Sequence, residues 1–187
     1  MSSGTSDLHA DAVRVLSDWP ATSEEADLAR KRTLELLAAG PAAMTRAHRP
    51  GHVTASALVV DAAGRVLLCL HGRLGRWMQL GGHCEPDDTS LSAAALREAT
   101  EESGISGLIL DPEPIDVDVH EVRCTDGAGV AGPSVHYDVR YLLRCPPGAV
   151  ERISEESSAL AWFRPDELPT PLASGTARQI PPALSRL

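Results

Sequence analysis

Two helical segments are predicted at the start of the chain. Over residues 7–19 apolar side chains recur three or four positions apart, and Pro20 ends the pattern. A second helix is expected to begin at Thr22, which has capping-box spacing to Glu25, and to end at Gly40, which a proline follows. We therefore predict that residues 1–50 form a helical extension ahead of the rest of the chain.

The period of the hydrophobic pattern changes at Val53. Residues 53–61 and 65–71 are short apolar or β-branched runs that are typical of strands, and Gly64 between them suits a tight turn. The stretch from about residue 90 to residue 103 is the most strongly helical, and Gly104 is suited to end that helix.

More strand-like runs follow, separated by turns rich in proline and glycine: 107–110, 115–122, 134–144 and 158–164. A last helical piece, interrupted by Pro181 and Pro182, is expected in the tail. The length of 187 residues favours one domain, which we place at residues 51–187. The order of elements predicts an α/β fold with a mixed sheet.

Composition and charge exclude several classes of protein. No apolar run approaches the roughly 20 residues of a membrane span, and the polar, acidic start lacks an export signal, so we expect a soluble cytoplasmic protein. The formal net charge of −9 argues against a protein that wraps nucleic acid.

The cysteines and two of the histidines match no zinc pattern. The cysteines are widely spaced without a CxxC pair, which favours reduced thiols over a zinc site or a disulfide framework: Cys69, Cys84, Cys124 and Cys145. His120 and His136 lie on strand-like segments, and we interpret them as ordinary hydrogen-bonded histidines of the sheet.

Three glutamates are crowded onto one face of the helix predicted at residues 90–103. Positions i, i+3 and i+4 of a helix project together, so the carboxylates of Glu98, Glu101 and Glu102 lie close to one another. Each such like-charge pair costs about 0.2–0.5 kcal/mol. A Mg²⁺ or Mn²⁺ ion, which prefers oxygen ligands, would remove the conflict. The alternative is an ordinary solvated acidic face.

The residues near the glutamates favour the metal. Gly81 and Gly82 allow close approach of the backbone after an apolar strand, and Arg97 can pair with a loop carboxylate, Asp87 or Asp88. The opposite face of the helix carries small or apolar residues that can pack on a sheet and hold the acidic face in place: Leu91, Ala94, Ala95 and Ala99.

Residues 81–105 resemble the Nudix box, Gly-x5-Glu-x7-Arg-Glu-U-x-Glu-Glu-x-Gly-U, where U is a bulky aliphatic residue. The second half matches in "REATEESGI", with Ala99 at the aliphatic position. The first half departs from the pattern, because Asp88 stands where the family has Glu and eight residues rather than seven then precede Arg97. A looser resemblance over residues 53–170 implies a Nudix-like α/β/α sandwich around a mixed β-sheet.

The resemblance implies an enzyme of the pyrophosphohydrolase class. Such an enzyme cleaves a diphosphate linkage in a nucleoside diphosphate joined to another group X, by attack of water at phosphorus. The metal ligands that it implies for Mg²⁺ or Mn²⁺ are Glu98, Glu101, Glu102 and the carbonyl of Gly82. It also implies that Arg97 fixes the geometry through a carboxylate pair.

The resemblance leaves several roles open. The general base is one of the three glutamates or an acid in the loop before the last strand, Glu155 or Glu156, for which a solvated turn acid is the alternative. We expect Gly81, Gly82 and His83 beside the phosphates of the substrate.

Two other functions are weighed against hydrolysis. A Nudix-like domain could sense a nucleotide or sugar nucleotide without turnover, although repulsive glutamates would bring a pure binder little benefit. An isomerase of isoprenoid diphosphates would need a cysteine and a glutamate facing each other, and Cys84 has no further pattern to support that. The N-terminal helices could close the pocket, form a homodimer, or do neither.

Overall fold

A computed structural model describes residues 3–126, 128–153 and 157–187 of the chain. The helices are α1 (Ser3–Asp18), α2 (Glu24–Leu37), α3 (Leu91–Ser103) and α4 (Ile180–Leu184), with a 3₁₀ helix at Pro41–Met44. The strands are β1 (Gly51–Val60), β2 (Val66–His71), β3 (Arg76–Met78), β4 (Leu80–His83), β5 (Ile109–Leu110), β6 (Asp116–Thr125), β7 (Ala131–Arg144) and β8 (Ser157–Phe163).

The strands form one mixed sheet with β1 in its interior. Along its whole length β1 runs parallel to β7. Its other edge pairs antiparallel with β4 over residues 54–57 and with β2 over residues 59–60. Antiparallel pairs extend the sheet outwards, with β6 and β5 on β7, and with β3 and β8 on β2. The predicted mixed sheet is therefore confirmed.

Three helices cover one face of the sheet. Side chains of α1 and α2, such as Leu8, Leu16 and Leu37, lie in the same apolar core as Leu91 of α3 and the inward residues of β1 and β7. The Asp11 carboxylate of α1 also accepts a hydrogen bond from the Leu91 backbone N–H, at 2.9 Å. The predicted N-terminal helical extension thus packs directly beside the helix that carries the glutamates.

The opposite face of the sheet is polar in its centre. Arg140 of β7, only 1% exposed, forms ion pairs with Asp116, Asp118 and Asp138. An arginine so deeply buried requires such partners, because an unpaired buried charge is costly. Beyond this network a smaller apolar cluster packs α4 against β1, β2 and β7. Helices therefore lie on both faces, as the predicted α/β/α sandwich requires.

Two local details of the sequence prediction are confirmed and two are wrong. Gly64 and Gly104 adopt positive φ, at 75° and 64°, as expected for a tight turn and a helix C-terminus. Helix α2 is capped by Ser23 rather than Thr22, since the Ser23 hydroxyl accepts from the Ala26 N–H at 3.1 Å. Proline does not interrupt the last helix, because Pro181 and Pro182 lie in its first turn. Backbone N–H groups in the first turn have no hydrogen-bond partner within the helix, so proline, which lacks this group, is tolerated there.

The described ranges contain no helix whose length and apolar character would allow it to cross a bilayer.

Candidate active site

Helix α3 and strand β4 together form the candidate site. The Ser90 hydroxyl accepts from the Ala93 N–H at 3.1 Å and fixes where α3 begins, while Gly104 fixes where it ends. Ala95 and Ala99 are fully buried in the core beneath the helix. Since small side chains allow α3 to lie close to the sheet, its acidic face is held beside the glycines of β4.

The two glycines of β4 are in direct contact with the glutamates. A Cβ atom added to Gly82 would lie 2.7 Å from the carboxyl group of Glu98, so a larger residue would displace that carboxylate. The Gly81 N–H donates to Oε2 of Glu102 at 2.8 Å. Gly81 also has φ of +150° and lies tight against Ser56 of β1, which leaves no room for a side chain.

Arg97 holds the loop acid and two of the glutamates. Its Nε and Nη2 each donate to Asp88 at 3.0 Å, in a bidentate pair. Its Nη1 donates to Glu98 at 3.1 Å and to Glu101 at 3.3 Å, and its Nη2 also donates to the His83 carbonyl at 2.9 Å. The hydrogen bonds to Asp88 raise the pKa of Arg97 further above its usual range.

The three glutamates differ in their exposure to solvent. The side chain of Glu98 is 17% exposed and that of Glu101 is 61% exposed, while Glu102 is partly buried. An ordinary solvated acidic face would expose all three carboxylates. The arrangement instead places Glu98 and Glu102 against the backbone of β4, with Glu101 towards solvent. Carboxylate oxygens in this setting are the donors that a hard divalent cation prefers.

A cleft of about 570 Å³ opens over these residues. One wall is the glycine strand and the start of the acidic loop, and the other wall comes from the N-terminal extension, where Thr5, Thr45 and Arg46 line it. Sequence reasoning missed the last three residues. Nothing in a motif centred on residues 81–105 points to them, because they join the cleft only through the packing of α1 and the 3₁₀ helix.

The ring of His83 lies away from the glutamates. Because side chains alternate along β4, it projects to the sheet face opposite Gly82, where His52, Cys124 and His136 surround it. Nδ1 of His83 lies 2.7 Å from an Arg46 nitrogen, and Nε2 lies 3.2 Å from the Cys124 sulfur. The expected contact of His83 with substrate phosphate stays a prediction.

Burial changes the titration of these histidines. It lowers the pKa of His52 to about 4, and the pKa of both His83 and His136 to about 3. All three rings are therefore neutral near pH 7. His120 is hydrogen-bonded to Asp118 at 2.9 Å, as predicted, whereas Nε2 of His136 is buried without a hydrogen-bond partner in the part of the chain that the structure describes.

The two acids predicted in the loop before the last strand, Glu155 and Glu156, lie outside the described residues. Their candidacy as the general base stays a prediction.

Comparison with known proteins agrees with this arrangement. A model of the NUDIX domain family matches residues 50–183. A MutT-like protein from Streptomyces ambofaciens is 34% identical over 133 residues, which cover 71% of this chain and 76% of that protein.

Solved structures are similar to this fold. A MutT NUDIX hydrolase from Burkholderia pseudomallei aligns with a TM-score of 0.52 at 27% identity, over 69% of this chain and 95% of that one. A NUDIX-family hydrolase from Clostridium perfringens aligns with a TM-score of 0.53 at 22% identity, over 73% of this chain and 98% of that one. With the box geometry and the family match over most of its length, the chain belongs to the Nudix hydrolase family, which confirms the predicted family, fold and enzyme class.

Proposed function

We propose that this protein is a divalent-metal-dependent pyrophosphohydrolase, which cleaves a diphosphate linkage in a nucleoside diphosphate joined to a group X. The observation that carries the proposal is the contact of the acidic face of α3 with the paired glycines of β4, on the wall of a cleft. A cleft of about 570 Å³ is within the ordinary range for small-molecule sites.

The donor set fits Mg²⁺ or Mn²⁺. It consists of oxygen atoms alone: the carboxylates of Glu98, Glu101 and Glu102, with the backbone carbonyl of Gly82 as a further candidate. Arg97 is shared among several carboxylates, so the cluster keeps a net negative charge that favours a cation. When bound, the ion would offset the charge that develops on the diphosphate as water attacks phosphorus.

The protein's own residues then have separate tasks. Arg97 positions Glu98 and Glu101 relative to the loop, through its bidentate pair with Asp88. Glu101, the most exposed of these carboxylates, can accept a hydrogen bond from a water in the cleft and orient it. Glu156 remains the other candidate for that role. Arg46, on the opposite wall, supplies a cation for the phosphates.

The test is turnover of a panel of sugar nucleotides, nucleoside triphosphates and dinucleotides, with and without Mg²⁺ or Mn²⁺. We expect metal-dependent cleavage of at least one compound. Glu102→Gln should lower kcat by about a hundredfold or more, as for loss of a principal electrostatic stabiliser. The matched control is Glu35→Gln, which removes an exposed carboxylate on α2 and should leave turnover unchanged.

Two results would overturn the proposal. Equal turnover in Glu102→Gln and the parent protein would exclude the metal role of the cluster. Tight binding of a panel compound without any turnover would instead support a nucleotide-sensing domain.

A further inference from the structure

Four side chains from four strands converge on the sheet face opposite α3. They are His52 of β1, His83 of β4, Cys124 of β6 and His136 of β7. His52 and His136 are directly opposite each other in the parallel β1–β7 pair. His83 is opposite Thr54, two positions along β1, and therefore points to the same face. We propose that these residues, the histidine–cysteine cluster, form a second metal site that binds Zn²⁺.

The donor atoms are already close to one another. One donor atom from each residue lies within 4.8 Å of every other. Cys124 Sγ lies 3.2 Å from Nε2 of His83 and 4.0 Å from Nε2 of His52. Ligands of tetrahedral zinc, at bond lengths of about 2.0–2.3 Å, are separated by roughly 3.3–3.8 Å. Closing the site around an ion would therefore require side-chain shifts of about 1 Å.

The cluster is polar and poorly solvated. His52 and Cys124 are buried, and the buried Nε2 of His136 has no hydrogen-bond partner within the described ranges. A buried polar atom without a hydrogen-bond partner is unfavourable. Coordination to a metal would satisfy that nitrogen, and neutral imidazole is the form that binds metal.

The chemistry of the donors separates this site from the glutamates. Three imidazole nitrogens and a thiolate sulfur favour Zn²⁺, whereas the all-oxygen set on α3 favours Mg²⁺ or Mn²⁺. Four protein ligands leave no coordination position for a substrate, which is typical of a structural zinc site. Zinc here would join β1, β4, β6 and β7, and β4 is also the strand that carries Gly81 and Gly82.

Binding would change the partners of His83. Arginine can only donate, so the contact with Arg46 makes Nδ1 of His83 an acceptor and leaves the ring proton on Nε2, facing Cys124. Coordination through Nε2 moves that proton to Nδ1 and releases Arg46, while the Cys124 thiol loses its proton to solvent. Arg46 therefore competes with zinc for His83.

The experiment uses the full chain without a polyhistidine tag. The protein is stripped with a chelator and titrated with Zn²⁺, or with Co²⁺ as a spectroscopic substitute, in an excess of Mg²⁺ that occupies the oxygen site. We expect one zinc ion per chain and, with Co²⁺, a thiolate-to-metal charge-transfer band. Cys124→Ser should abolish that band. His136→Gln should weaken zinc binding by about a hundredfold, which is the upper end of the loss in metal affinity when an outer partner of a metal ligand is removed.

Matched control variants test whether zinc binding depends on the histidine–cysteine cluster alone. Cys145→Ser removes another free thiol and His120→Gln a neighbouring histidine, and both should bind zinc like the parent protein. Glu98→Gln should also retain zinc, since the glutamates are not its ligands, so this test does not depend on turnover. Circular dichroism of each variant checks that it is folded.

Several outcomes would overturn the proposal. They are the absence of zinc binding in excess Mg²⁺, a charge-transfer band that persists in folded Cys124→Ser, and zinc binding that is lost in Glu98→Gln. Arg46→Ala should bind zinc at least as tightly as the parent, and weaker binding there would exclude His83 as a ligand.

Discussion

The guanidinium of Arg97 binds the carboxylate of Asp88 through two hydrogen bonds of 3.0 Å each. Asp88 is 7% exposed and also accepts from the Glu85 N–H at 2.7 Å. The family pattern has a glutamate and a loop one residue shorter at this point. Here a shorter acid on a longer loop contacts the arginine of the box.

Asp88→Asn should weaken the metal site that we propose on α3. A neutral amide cannot balance the guanidinium, so Arg97 would bind Glu98 and Glu101 more strongly and compete with the cation. We expect the Mn²⁺ affinity, measured by calorimetry, to fall about ten- to hundredfold, as for loss of an outer partner of a metal ligand. Asp87→Asn removes an exposed charge on the same loop and serves as the control. Equal losses in the two variants would contradict the role of the Arg97–Asp88 pair.

Gly82→Ala should displace Glu98. The added methyl carbon would lie 2.7 Å from the carboxyl group, and the flexible glutamate side chain is the group that can move. We expect Mn²⁺ affinity to fall by about tenfold or more, with little change in the melting temperature. Gly132→Ala on β7 has no close neighbour at its Cβ position and should leave Mn²⁺ affinity unchanged. An unaltered Mn²⁺ affinity in Gly82→Ala would show that metal binding does not require the close approach of Glu98 to Gly82.

Leu16→Ala tests whether the N-terminal extension folds together with residues 51–187, as we propose. Leu16 is fully buried in the core shared with α3, although it precedes the segment that matches the family. Replacing the Leu16 side chain with a methyl group should lower the free energy of unfolding by about 2–5 kcal/mol in urea titrations. Unfolding should remain one cooperative transition. Leu28→Ala, at a position 61% exposed, should change it by less than about 0.5 kcal/mol. A separate early transition would indicate an independent unit.

Acid should destabilise the metal-free protein through its buried histidines. The pKa of His52 is about 4 and that of His136 about 3 in the folded protein, against 6.5 in the unfolded chain. The unfolded state therefore binds more protons, so the stability present above pH 6.5 is lost as pH falls towards the folded values. His136→Gln should flatten the slope of unfolding free energy against pH by up to about 1.4 kcal/mol per unit. An unchanged slope, measured in chelator, would contradict this assignment.

Local features of the sequence determined the helix that carries the three glutamates. The helical period places Glu98, Glu101 and Glu102 on one face, and Ser90 and Gly104 set the ends of that helix through contacts within a few residues. The periods of apolar residues likewise predicted the mixed sheet and the helical extension. These signals depend on neighbours along the chain, so they can be read without a structure.

Tertiary structure alone decided what surrounds the box. Arg46 reaches the cleft because the 3₁₀ helix just before it packs against α1 and β1, and no motif encodes that packing. His52, His83, Cys124 and His136 meet because β1 pairs with β7 and β4 while β6 pairs with β7. Their separations along the chain match no metal pattern, since strand pairing between distant segments, rather than local spacing, determines which side chains meet.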